Sequence, residues 1–143
     1  MNCFRFLTRW GLGLVLALGA NAAVAQSAPV KAWSFDQVSP AIYRLDTPIT
    51  QHFDLEGITM PPEESDVIKT VAVQIQASTS AFIESYLCIN TEEHCLPIKG
   101  GRIYTQAFAG YPANANYMVV HRVRGWSGTV PPVFIKTQLN VWW

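Results

Sequence analysis

Apolar and polar residues alternate with a period of two through the second half of this chain. Within Val67–Gln76, Val71, Val73 and Ile75 fall on one side. Tyr117, Val119, His121 and Val123 share a side, opposite Met118, Val120, Arg122 and Arg124. Near the end of the sequence, Ile135, Leu139, Val141 and Trp143 alternate with Lys136, Gln138 and Asn140. Two further runs, Ala81–Ile89 and Arg102–Phe108, are rich in the aromatic and β-branched residues that suit a pleated, half-buried surface. Turn-forming clusters separate these runs: Pro61-Pro62-Glu63-Glu64-Ser65-Asp66, Ser78-Thr79-Ser80, Gly100-Gly101, Gly110-Tyr111-Pro112, Gly125-Trp126-Ser127-Gly128 and Pro131-Pro132. No segment sustains a helical period. The pattern therefore predicts an all-β fold, an antiparallel β-sandwich or small barrel. Residues 27–66 are less regular; Trp33, Ile42-Tyr43-Arg44-Leu45 and His52-Phe53 predict one or two strands within long loops. Adjacent Trp142 and Trp143 must face opposite sides of a strand, so at least one is an open patch or is covered by the N-terminal segment.

The other end of the chain changes the compartment. Arg5 and Arg9 precede an uncharged apolar run, Gly11–Ala20, and Ala23-Val24-Ala25 supplies a small-x-small cleavage pattern. Residues 1–25 read as an export signal with Gln26 at the mature N-terminus; cuts after Ala20 or Ala22 are the alternatives. The apolar run falls short of the roughly 20 residues that span a bilayer, so an N-terminal anchor is the lesser reading. The expected location is the periplasm of a bacterial cell, with residues 26–143 forming one domain and making no stable membrane span. The whole chain carries 10 Lys plus Arg and 10 Asp plus Glu. Loss of Arg5 and Arg9 with the signal leaves the mature protein slightly acidic. Nothing in that balance favours phosphate backbones, and no nucleic-acid partner is expected.

Export also decides the cysteines. Of three, Cys3 leaves with the signal, and Cys88 and Cys95 remain as an even pair in an oxidising space. A disulfide is the leading reading. A zinc clip would need two more ligands, and His52, His94 and His121 are scattered without ligand spacing. The pair also lacks redox C-x-x-C spacing. The bond is expected to staple a hairpin whose polar tip is Asn90-Thr91-Glu92-Glu93-His94. Pro97, with no N–H to give, places the following strand at an edge or a bulge.

Chemistry beyond the staple is sparse. The acids cluster in turns, Glu63, Glu64 and Asp66 in one and Glu92 and Glu93 in another, where solvated charge is ordinary. Glu84 is expected on the outer face of its strand. His121 reads as a half-buried strand histidine rather than a base. There is no phosphate cradle, zinc motif or nucleophile elbow. Neither catalysis nor a cofactor is expected. For binding, Arg122, Arg124 and Trp126 lie within five residues and lead into a glycine-flanked turn. Trp beside Arg is a common interface anchor, while the leading expectation for Trp126 is that it folds back over the end of the sandwich.

These features, taken in order, resemble the FlhE family of flagellar accessory proteins. The resemblance is carried by Thr70-Val71-Ala72, by Leu87-Cys88 and Cys95-Leu96 around a short polar segment, and by Gly100 or Gly101 after them. It continues through Phe108-Ala109-Gly110, a Val119–Val123 strand ending in Gly125, Pro131, and a last strand with Gln138 and Val141; Ala32-Trp33-Ser34 fits an aromatic anchor after the signal. The resemblance implies a periplasmic β-sandwich that is not an enzyme. It implies binding to flagellar export or rod proteins, limiting proton leak or premature assembly. The alternative from the residues alone is a periplasmic inhibitor or ligand-binding sandwich, of the lysozyme-inhibitor or glycan-binding kind. Glycan binding would require aromatic rings gathered on one exposed face.

Overall fold

The alternating runs become eight strands in the computed structural model, which describes residues 30–128 and 131–143. They are β1 (Ala32–Val38), β2 (Ile49–Phe53), β3 (Thr70–Ala77), β4 (Ala81–Ile89), β5 (Thr91–Pro97), β6 (Arg102–Thr105), β7 (Tyr117–Trp126) and β8 (Ile135–Trp142). The first sheet has the order β1-β8-β3-β6 and the second β2-β7-β4-β5, with every pairing antiparallel. The antiparallel sandwich expected from the sequence is the fold, and no helix occurs among the described residues. The expected export signal lies outside the described residues.

Alternation places the core. Tyr117, Val119, His121 and Val123 of β7 are all buried, as are Ile135, Thr137, Leu139 and Val141 of β8. These two strands lie inside their respective sheets and face one another. At one end Trp33 of β1 meets Tyr117 edge to face, with ring centroids 5.4 Å apart. Burial pushes the Tyr117 phenol upward, and its hydroxyl donates to the Ala113 carbonyl at 2.9 Å. Phe35 and Phe53, from β1 and β2, close the same side edge to face. A second cluster, Ile42, Val123, Val133 and Ile135, fills the opposite end. Trp143 is buried in the main core, and its backbone exchanges two hydrogen bonds with Lys31. Trp142 points to the other side.

β4 and β5 are neighbours in both sequence and space, and the disulfide joins them at a directly paired position, Cys88 opposite Cys95. Here the structure differs from the expected loop. The tip is Asn90 alone, in a left-handed conformation with φ of 62°, and Thr91 already pairs with Ile89. Asn tolerates that region better than most residues because its short side chain bonds locally. Asn90 Oδ1 accepts from the Asn116 amide at 3.1 Å, tying the tip to the start of β7. The surplus residues Glu92–His94 leave the ladder as a bulge, marked by the register shift at Cys88/Ile89. Pro97 sits on edge strand β5, where its missing donor costs no ladder bond.

The bond closes a ring whose ends are seven positions apart. On the loop-entropy model that ring is worth about 2.5 kcal/mol. Replacing both cysteines with alanine is expected to lower unfolding free energy in urea by about 2 kcal/mol, keeping the sandwich. A loss under about 0.5 kcal/mol would show that the hairpin is held without its staple.

Candidate functional site

Two polar groupings stand out on the second sheet, one sealed between the sheets and one on the outer surface. The sealed one centres on His121 of β7. Ser85 of β4 donates its hydroxyl to His121 Nδ1 at 2.8 Å. Gln51 Oε1 of β2 lies 2.7 Å from His121 Nε2 and accepts the Thr137 hydroxyl of β8 at 2.5 Å. An amide oxygen can only accept, so the proton rides on Nε2 and Nδ1 is the acceptor. Thr137 Oγ1 also lies 3.1 Å from Nε2. Three strands of one sheet and one of the other thus meet in a single hydrogen-bonded set. Gln51 Nε2 is the one amide group of the set left without a partner among the described residues.

A hydroxyl on an imidazole has the composition of an activated nucleophile. His121 is 0% exposed and Ser85 2%, however, so no substrate reaches either atom. The sequence expectation of a half-buried histidine is corrected to a fully buried one. Its neighbours on the inward face close over it because β8 lies directly across. Burial lowers the imidazole pKa from 6.5 to about 4. The set works as a polar rung between the sheets.

On the outer face, the three residues singled out as a binding patch do not share one surface. Arg122 is half-buried, laterally opposite Glu84, and its Nε has no hydrogen-bond partner among the described residues. Arg124 is exposed but tied down, with Nη1 2.6 Å from Asp46 Oδ1 and Nε 2.8 Å from Glu84 Oε2. These bonds raise the guanidinium pKa, that to Asp46 most. Glu84 is on the outer face as expected. Trp126 faces the other way and packs against the second core cluster. The cause is a bulge. Phe82 pairs with Gly125 and Ile83 with Val123, so Arg124 is an extra residue and the alternation beyond it reverses. The Phe82 ring lies across Gly125, where an added Cβ would come within 3.0 Å of it.

The rest of this face carries chemistry that alternation alone could not show. Thr50 of β2 donates to Glu92 Oε1 at 3.2 Å, drawing the bulged segment after Asn90 back over β7. Met118 and Cys88, on the outward side by register, are nonetheless buried. Phe82 and Tyr86 remain exposed beside the Arg124 ion pairs.

Two predictions follow from this geometry. The depressed His121 pKa means that the unfolded chain binds a proton the folded chain refuses between about pH 6.5 and 4. Stability from this group is present above pH 6.5 and is lost as pH falls toward 4, by about 3 kcal/mol. Urea titrations at pH 7 and pH 4 should show that extra loss in the wild type but not in His121→Gln; equal losses would refute the assignment. Separately, Trp126→Ala is expected to lower stability by about 2 kcal/mol, since a half-buried ring leaves a cavity. Arg124→Ala should change stability by less than about 1 kcal/mol, because both its ion pairs are exposed. Similar effects in the two variants would contradict the inward placement of Trp126.

No protein-family model matches the chain, and no curated protein matches it. Among solved structures, a crystal structure of FlhE is similar to it at a TM-score of 0.61 and 18% sequence identity. The similarity covers 81% of this chain and 98% of that one. The chain shares the fold of FlhE over nearly the whole of that protein.

Proposed function

We propose that this protein is a flagellar accessory protein acting outside the cytoplasm, where it binds a component of the export apparatus or rod. Such binding would limit proton leak or premature flagellar assembly. The observation that carries the reading is the fold shared with FlhE across 98% of that chain. The ordered residue pattern from Thr70 to Val141 also supports it. The Cys88–Cys95 disulfide fits an oxidising compartment. In this reading the partner meets the outer face of the second sheet, around Phe82, Tyr86 and Arg122. Exposed aromatics are the usual anchors of such contacts. Arg124, held by Asp46 and Glu84, fixes the shape of the surface, and Trp126 supports it from beneath.

Deleting the gene in its own host should disturb motility, flagellar placement or the proton tightness of the cell. Supplying the wild-type chain should restore it, and Phe82→Ala with Tyr86→Ala should restore it less. A deletion strain normal in all three respects would overturn the reading.

A further inference from the structure

The outer face of the first sheet carries a different kind of surface, and we propose that it binds a glycan strand of N-acylated, carboxylate-bearing sugars. This goes beyond the flagellar reading and does not rest on it. The registers lay the outward side chains out as a grid. One row runs Ser34, Asn140, Ala72, Tyr104, and the next Asp36, Gln138, Gln74, Arg102. A third holds Val38, Lys136 and Gln76.

Four carboxamides, Asn140, Gln138, Gln74 and Gln76, are therefore contiguous. None of their side chains bonds to another group among the described residues. Each carboxamide offers both donors and acceptors, the pairing that sugar hydroxyls and N-acyl groups need. Asp36 is neutralised by Lys136 at 3.2 Å, which leaves Arg102 as the unpaired charge of this grid among the described residues. That charge complements a carboxylate.

The aromatic condition for glycan binding is also met. Tyr104 is 71% exposed, and Trp142 stands beside it with ring centroids 6.1 Å apart and planes tilted 53°. The pair makes a corner whose open ring faces can receive the C–H edges of a sugar. Small Ala72 lowers the floor next to Tyr104, giving a depression of about 260 Å³ walled by Gln74, Arg102 and Asn140. That depression shares Gln74 with a smaller one, which shares Gln76 and Lys136 with a third that ends at exposed Phe134. The resulting track runs along β3 from Ala72 to Ser78 just beyond its end, about 20 Å at the rise of a strand, so it suits an oligomer rather than a single sugar. A protein partner would need an apolar centre, whereas here the amides are central and the rings lie at the ends. One free arginine is too little charge for a nucleic acid.

The test uses the mature protein, isotopically labelled, titrated with N-acetylglucosamine hexamer and with soluble uncrosslinked peptidoglycan strands, and with cellohexaose as a control. Saturable amide shifts are expected on β3, β6 and β8 for both amino-sugar probes, with tighter binding of the carboxylate-bearing strands and weaker binding of cellohexaose. Tyr104→Ala, and Gln74→Ala combined with Gln138→Ala, should weaken binding about tenfold. Arg102→Ala should erase only the preference for peptidoglycan strands. All these positions are exposed or half-buried, and an unchanged spectrum away from the face verifies folding. No saturation with either amino-sugar probe, shifts confined to the second sheet, or full affinity in Tyr104→Ala would overturn the proposal.

Discussion

The sandwich depends on the meeting of β7 and β8, whose inward side chains face each other across its centre. Each lies inside its own sheet, and the remaining strands attach to one or the other directly or through a neighbour. A slip of one residue in either would turn every inward side chain out to water. Most of the layers between them are apolar and would tolerate some exchange of shapes. The His121–Thr137 layer would not, because Gln51 Oε1, the Thr137 hydroxyl, the imidazole and Ser85 satisfy one another in only one arrangement. A buried polar set of this kind adds little net stability, since its desolvation offsets its hydrogen bonds, but it penalises every other register.

Two register breaks decide what the second sheet shows to its surroundings. At Arg124 the extra residue turns Trp126 inward to seal the lower core, freeing Phe82 to lie over Gly125. At Cys88/Ile89 the surplus residues of β5 fold back over the sheet, and Glu92 reaches Thr50 on the far edge. The staple therefore does more than close a hairpin. By fixing Cys95 opposite Cys88 it sets where the surplus residues Glu92–His94 end and the ladder resumes. Met118 is buried, although its position in the alternation marks it as an outward residue.

Much of this was legible in the residues. Wherever alternation ran unbroken, as in β3 and β8, it gave the strand, its inner face and nearly its ends. The disulfide followed from compartment and parity of cysteines. Bulges were not legible, because one inserted residue leaves composition unchanged while reversing every later side chain. Hence Arg122, Arg124 and Trp126 read as one patch in sequence and separate in space. Nor was the His121 set legible: Gln51 and Ser85 belong to strands whose partners are set by long-range pairing, and nothing local marks either as inward. β1 and β2 were only half visible, since their polar inner residues, Gln37 and Gln51, interrupt the apolar period.

The two outer faces differ in a way that follows from these registers. The second sheet is bulged twice, so its surface is irregular, with an ion-paired ridge beside exposed aromatic rings and a folded-over segment. An irregular surface presents one shape and is matched by one shape, as in contacts between folded proteins. In the first sheet the pairings of β8 with β1 and β3 run without a break from Ala32 to Val38 and from Thr70 to Ala77. Unbroken pairing produces side chains at the fixed spacings of the pleat, and here four of those positions hold amides, beside the Asp36–Lys136 ion pair. A surface that repeats is matched by a ligand that repeats, and amides match groups that both give and accept hydrogen bonds. Regular register and contiguous amides together therefore separate the chemistry of this face from that of its opposite.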